Sequence, residues 1–309
     1  MLLTVTPNPA LDKTYLVDRL IIGRVHRPLE IGEHAGGKGI NVARAAVSLG
    51  LQSSATGFLA GHNGDLVRNR LEPARIEDGF VTVPGQTRLC IAIVDRDTGT
   101  QTEINEPGPT IDQAALDLFQ ERFSALLERS HTVALCGSLP PGVPDGFYAG
   151  LIGQAKSRGI RTVLDTSGEP LRHGLDAVPD FVKPNATEAS DLLGREIETV
   201  GDAAEACRIF LERGVKTVAI TLGRCGAVGA DETGAWYAEA PEIQFASAVG
   251  SGDVFLAAFL VKWLQGADLS ERLQFASAAG AANAMVYGAG VFETHTVQNL
   301  TSRISVTRL

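Results

Sequence analysis

The chain has little cysteine, little lysine and no hydrophobic run long enough to cross a membrane. Its four cysteines, Cys90, Cys136, Cys207 and Cys225, stand apart without a Cys-x-x-Cys pair, which excludes a zinc ribbon or dithiol motif and predicts reduced thiols. None of the six histidines stands in a metal-spaced pair or a convincing triad. No leader precedes the first apolar segment, so the expectation is a cytoplasmic protein without a membrane partner. Positive charge is also scarce: 27 Lys and Arg against 36 Asp and Glu give a formal charge of -9, which argues against a nucleic-acid surface. A pocket for a phosphorylated substrate needs only a few basic side chains, and six lysines make Lys38 and Lys183, each inside a Gly- or Pro-rich motif, conspicuous.

What the chain does hold is apolar content, 44% of 309 residues, ample for a large core. Short β-branched runs at 2–6, 132–136, 161–164, 180–183 and 217–222 alternate with helix-period segments such as 113–127 and 144–157. Strands apolar throughout and separated by helices predict an α/β fold, a doubly wound, mostly parallel sheet with helices on both faces. Two segments, 13–31 and 88–106, break the alternation. The second has period-two strands around Asp97-Thr98-Gly99, a hairpin signal. Together they predict a small β lid inserted in a main domain of 1–12, 32–87 and 107–309. Residues 252–287 predict two packed helices.

Gly250-Ser251-Gly252-Asp253 precedes the apolar run 254–260. Glycines at a helix start let a phosphate approach the unpaired N–H groups of Gly250, Ser251 and Gly252, and Asp253 can take a proton from a hydroxyl. The same residues also describe a plain loop with an N-cap. Asn8-Pro9-Ala10-Leu11-Asp12 places a carboxylate after the first strand, suited to sugar hydroxyls or to an Asx turn. Gly36-Gly37-Lys38-Gly39-Ile40-Asn41 opens a helix, with Lys38 and Asn41 as donors; Gly39 stands where a Walker A loop needs Ser or Thr, and no strand is expected before it. Lys183-Pro184-Asn185-Ala186-Thr187-Glu188 puts Asn185 and Glu188 on one helical face, fit for hydrated magnesium or for a capping box. Thr221-Leu222-Gly223-Arg224-Cys225-Gly226 suits a nucleotide or an ordinary hairpin. Asp95-x-Asp97 with Glu106 lacks the glycine placement of an EF-hand, and Asn185-Ala186-Thr187 is a sequon without a secretory signal.

In this order, and with Gly137-Ser138-Leu139-Pro140, these motifs resemble the ribokinase-like PfkB sugar kinases over nearly the whole chain. The Gly-Gly-Lys-Gly-Ile-Asn element and the stretches 87–93, 101–104 and 107–109 resemble the phosphosugar branch, 1-phosphofructokinases and tagatose-6-phosphate kinases, the lid stretch especially the latter. Ser251 departs from the alanine of many relatives and is small enough to leave the anion hole intact. The resemblance implies an ATP- and Mg²⁺-dependent kinase of a ketohexose monophosphate, with Asp253 as base. Asp12, Gly36, Gly37, Asn41 and Ser138 would serve the sugar. Arg24, Lys38 and Arg88 are candidates for its phosphate, since such a dianion needs two or three charge-assisted bonds. Lys183, Asn185, Thr221, Gly223, Gly226 and Asn283 would serve the nucleotide, and Asn185 and Glu188 the metal. The resemblance also implies a homodimer through the lids. A kinase of an unphosphorylated sugar or nucleoside, and a non-catalytic sugar-phosphate sensor, are the rival readings.

Overall fold

The computed structural model describes residues 1–309. Strands β1 (Leu2–Thr6), β4 (Ser53–Ala60), β9 (Thr132–Cys136), β10 (Arg161–Asp165), β11 (Phe181–Val182) and β12 (Thr217–Thr221) run parallel in a sheet of eleven strands. Short β5 (Ile76–Asp78) and β6 (Val81–Val83) pair with β4 at one edge. At the other edge β13 (Ala227–Asp231), β14 (Gly234–Ala238) and β15 (Val306–Arg308) add antiparallel strands.

Every residue of β1 and β9 is buried. Alternation along a strand sends successive side chains to opposite faces, so a strand covered on both sides must be apolar throughout. Leu3, Val5, Val133 and Leu135 enter one core, with α3 (Gln113–Leu127), α4 (Phe147–Lys156), α5 (Gly168–Asp176), α6 (Ala186–Leu193) and α7 (Val200–Glu212). Leu2, Ala134 and Cys136 enter the other, with α1 (Lys38–Ser48), α8 (Ser251–Leu264), α9 (Leu269–Ala284) and α10 (Thr294–Thr301). Residues 253–261 of α8 are all buried, which explains its lack of a polar face: the sheet covers one side and α9 another. No helix is long and apolar enough to cross a membrane.

A separate four-stranded sheet has the order β3 (Glu30–Gly36), β2 (Ala10–Val17), β7 (Arg88–Asp95), β8 (Gln101–Asn105). The boundaries expected from the sequence were too narrow, because this sheet also takes in 10–12 and 32–36, while 18–29 forms no strand. Leu11 and Ala35 pack with Ile40, Val67 and Leu71 from the inner face of the small sheet. A strand, β3, therefore leads into the Gly-rich turn at Gly37 after all, though from the small sheet. The hairpin tip binds itself rather than a cation: Asp95 accepts from the N–H groups of Leu20 at 2.9 Å and Thr98 at 3.0 Å.

Phe119 is fully buried, with its ring centroid 5.2 Å from those of Phe58 and Phe147. Phe119→Ala is expected to cost about 3–5 kcal/mol, read as a lower denaturation midpoint, while the folded fraction keeps its turnover number.

Candidate active site

The carboxyl ends of the parallel strands meet under the small sheet, the place where open α/β sheets bind ligands. Gly250 adopts φ 77 and caps α8; a Cβ there would lie 2.6 Å from Ala289 Cα, so the turn demands glycine. The Ser251 N–H already donates to Ala248 O at 3.1 Å. Of the three N–H groups expected to meet a phosphate, that of Ser251 is thus engaged within the turn, while those of Gly250 and Gly252, and that of Asp253 beside them, have no protein acceptor.

Asp253 is buried in the first turn of α8, and its Oδ2 accepts a 2.8 Å hydrogen bond from Asn41 Nδ2. Burial pushes its pKa up to about 6, Asp165 adds to the shift, and Lys38, Asn41 and Lys183 oppose it. Asp12 projects from β2 into the same cleft. A Cβ on Gly36 would lie 2.0 Å from Asp12 Oδ2, so Gly36 makes room for that carboxylate. Burial pushes the Asp12 pKa to about 7 against the pull of Arg44 and Arg88. Two carboxylates able to hold or release a proton near neutral pH thus face one cavity. Gly37, with φ 105, turns the chain into α1 where a Cβ would meet Thr6 Cγ2 at 2.7 Å.

Two of the three donors of the Lys38 ammonium are engaged within the protein. It donates to Asp165 Oδ1 and to Glu188 Oε1, both at 3.0 Å. Those carboxylates hold its pKa up against burial. Buried Lys183 lies 3.2 Å from Asp165 Oδ2. Although burial opposes it, Lys183 and Lys38 keep the Asp165 carboxyl below its ordinary value. Sequence reasoning missed Asp165, whose signal was an acidic residue ending an apolar strand. Asn185 and Glu188 form a complete capping box at the start of α6: Glu188 N–H donates to Asn185 Oδ1 at 2.8 Å, and Asn185 N–H to Glu188 Oε2 at 2.9 Å. No group of three or more His, Cys, Asp and Glu that could hold a metal occurs in the chain.

Thr221 bridges to Asn185 at the end of β12, beside Gly223, which opens a single 3-10 turn. Gly226 is forced, since a Cβ would lie 2.1 Å from Ala238 O. Asn283 is a correction. Its Nδ2 donates to Val249 O at 2.8 Å and Ser251 Oγ at 3.2 Å, and its Oδ1 accepts from the N–H groups of Gly290 and Val291 at 3.0 and 3.2 Å. Both donors and both lone pairs are used, which leaves none for an adenine.

Arg88 stands at the start of β7, its Nε donating to Asn8 O at 3.2 Å. Asn8, not singled out from the sequence as a site residue, donates in turn to Pro107 O at 3.0 Å and Ser138 Oγ at 3.4 Å, which ties Ser138 to the lid entry. Arg24 is not brought to this cluster. It lies exposed in the 18–29 loop, with no side-chain hydrogen bond or ion pair there.

A profile of the pfkB family carbohydrate kinases matches residues 10–295. Over 306 residues the chain is 32% identical to a 1-phosphofructokinase of Vibrio cholerae serotype O1, covering 99% of this chain and 96% of that one. The crystal structure of a possible 1-phosphofructokinase from Thermotoga maritima superposes with a TM-score of 0.92 at 28% identity, covering 100% of this chain and 99% of that one. Phosphofructokinase-2 from Escherichia coli in complex with substrates and products gives 0.91 at 29% identity over 98% of each chain, and its tetrameric inhibited form gives 0.87. The chain belongs to the pfkB family of carbohydrate kinases.

Raised carboxyl pKa values carry a stability cost as pH rises. The folded protein holds a proton on Asp12 up to about pH 7, whereas an unfolded aspartate releases it near its ordinary value, so folding is favoured less and less across that interval. Asp12→Asn removes this titration. Its melting temperature relative to the parent is expected to rise between about pH 4 and about pH 8, as calorimetry would register.

Proposed function

We propose that this protein transfers a phosphoryl group from ATP to a free hydroxyl of a ketohexose monophosphate, giving a hexose bisphosphate. The observation that carries the reading is a buried Asp253 at a helix start whose neighbouring N–H groups lack protein acceptors, with Asn41 on its carboxylate. Asp253 takes the hydroxyl proton, and its raised pKa suits a base working near neutral pH. The N–H groups of Gly250, Gly252 and Asp253 meet the charge that develops on the transferring group. Asp12, Asn41 and the backbone at Gly36 and Gly37 hold the sugar, with Ser138 at its margin. Lys183, Thr221, Gly223 and Gly226 line the nucleotide side.

Asn185 Oδ1 and Glu188 each retain acceptor capacity beyond the capping box, and no third acidic group joins them, a donor set that suits a hydrated Mg²⁺ held through water. When bound, the ion shields phosphate charge. ATP phosphates find Lys183 and the start of α8 on the same side of the cleft.

Arg24 stands in the outer loop, and the phosphate already on the sugar is met by Arg88 and by the remaining donor of Lys38. The lids carry exposed apolar side chains, Ile22 at 98% and Val25 at 90% together with Ile21, Leu29, Ile31 and Ile104, and these support a homodimer through the lids. A strictly monomeric mass at micromolar concentration by light scattering would count against that dimer.

Release of ADP is measured with fructose 1-phosphate, tagatose 6-phosphate, fructose 6-phosphate and unphosphorylated fructose. Turnover is expected with a phosphorylated sugar, and Arg88→Ala should lower kcat/KM for it by about 10- to 100-fold with ATP affinity nearly unchanged. An equal loss for the unphosphorylated sugar would favour a kinase of neutral sugars.

A further inference from the structure

Arg44 is a buried cation whose position the reaction as described leaves unexplained. It lies on α1 one turn beyond Asn41, and three chain segments converge on its guanidinium. Nη1 donates to Asn41 Oδ1 at 3.0 Å and to Ala289 O at 2.8 Å, while Nη2 donates to Ala35 O. These acceptors come from α1, from the loop behind the start of α8, and from lid strand β3.

The first contact decides how an amide is turned. With Asn41 Oδ1 held by a cation, its Nδ2 is the atom left to face Asp253 Oδ2, which it meets at 2.8 Å. A half-turn of that amide would set carbonyl oxygen against carboxylate, both acceptors. The second contact reaches the wall of the anion-binding turn. Ala289 packs so closely behind Gly250 that a Cβ on Gly250 would lie 2.6 Å from it, and the next N–H, of Gly290, donates to Asn283, which holds Val249 O. Burial lowers the Arg44 pKa, and Asp12 and Asp253 oppose that in part.

We propose that Arg44 is a positioning residue for phosphoryl transfer: it orients the Asn41 amide toward Asp253 and anchors Ala289 behind Gly250, without touching the reacting atoms itself. The inference rests on the reading of Asp253 as the base.

Arg44→Lys keeps the charge but cannot span the same acceptors, because an ammonium is a point donor and a guanidinium a planar fork. Its kcat is expected to fall about 10- to 100-fold while KM for ATP, which Asn41 does not hold, changes less than about twofold. The acid limb of its kcat profile should move to higher pH, since Asp253 loses a donor that lowers its pKa, with Asp165, Lys38, Lys183 and Asp12 still around it. In combination with Asn41→Ala, Arg44→Lys should cost less than it does alone, because the part of its effect that runs through Asn41 is already gone while the anchoring of Ala289 is still lost. Unchanged kcat in Arg44→Lys, or losses that multiply in the pair, would overturn the proposal. Should Arg44→Lys fail to fold, Arg44→Met, which has no donor for Asn41 or Ala289, goes through the same cycle with the same two outcomes. Asp253→Asn separates the two levels: near-normal kcat there removes the base itself, whereas a large loss there with none at Arg44 removes only the positioning role.

Discussion

Charge held out of water in one narrow cleft is the constraint to which the surrounding structure answers. Asp12, Asp165 and Asp253 share it with Lys38, Arg44, Lys183 and Arg88, and each carboxylate is in a different state because its neighbours differ. Asp165 lies between two lysines and remains ionised. Asp253 has one amide donor of its own and its carboxyl sits higher. Asp12 sits higher still, because burial outweighs the pull of the Arg44 and Arg88 guanidinium groups. Environments that push like groups apart in pKa divide labour between an electrostatic anchor and groups that exchange protons.

The glycines of the site follow from the same crowding. At Gly36 and Gly250 the space a side chain would need is already taken, by Asp12 in one case and by the Ala289 backbone in the other. Removing a methyl group there is what allows the carboxylate and the N–H groups to stand where a substrate can reach both. Parallel strands then supply the frame, since Thr6, Asp165, Lys183 and Thr221 all arrive at the same sheet edge by ending β1 and β10, following β11 and ending β12.

Residues whose chemistry and local context coincide were legible in the sequence. Helix α3 runs from Gln113 to Leu127, as its periodicity predicts, and the wholly apolar strands announced a sheet covered on both faces. Asp253 was visible because a glycine turn, a carboxylate and an apolar helix stand in direct succession. The ion pairs of Lys38 were not legible, because a lysine in a Gly-rich turn suits phosphate and carboxylate equally, and its partner Asp165 lies 127 residues away. Asn283 was misread for a similar reason: its hydrogen-bonding capacity is filled only when 249–251 and 290–291 close on it in three dimensions.

The small sheet joins strands far apart in the chain, since β2 lies parallel to β7 with Ala10 opposite Arg88. Everything from α1 to β6 intervenes, so closing that pair requires a long loop to be ordered first. The main domain can consolidate from shorter-range βα units before the lid exists, and the lid is held down by its inner apolar face and a few polar ties such as Arg44 to Ala35 O and Arg88 to Asn8 O. The order of assembly thereby implies an order of loosening, in which the lid strands β2, β3, β7 and β8 would part from the main domain at a lower cost than β1, β9 and β10 would part from one another, so that the cleft could uncover without the enzyme unfolding.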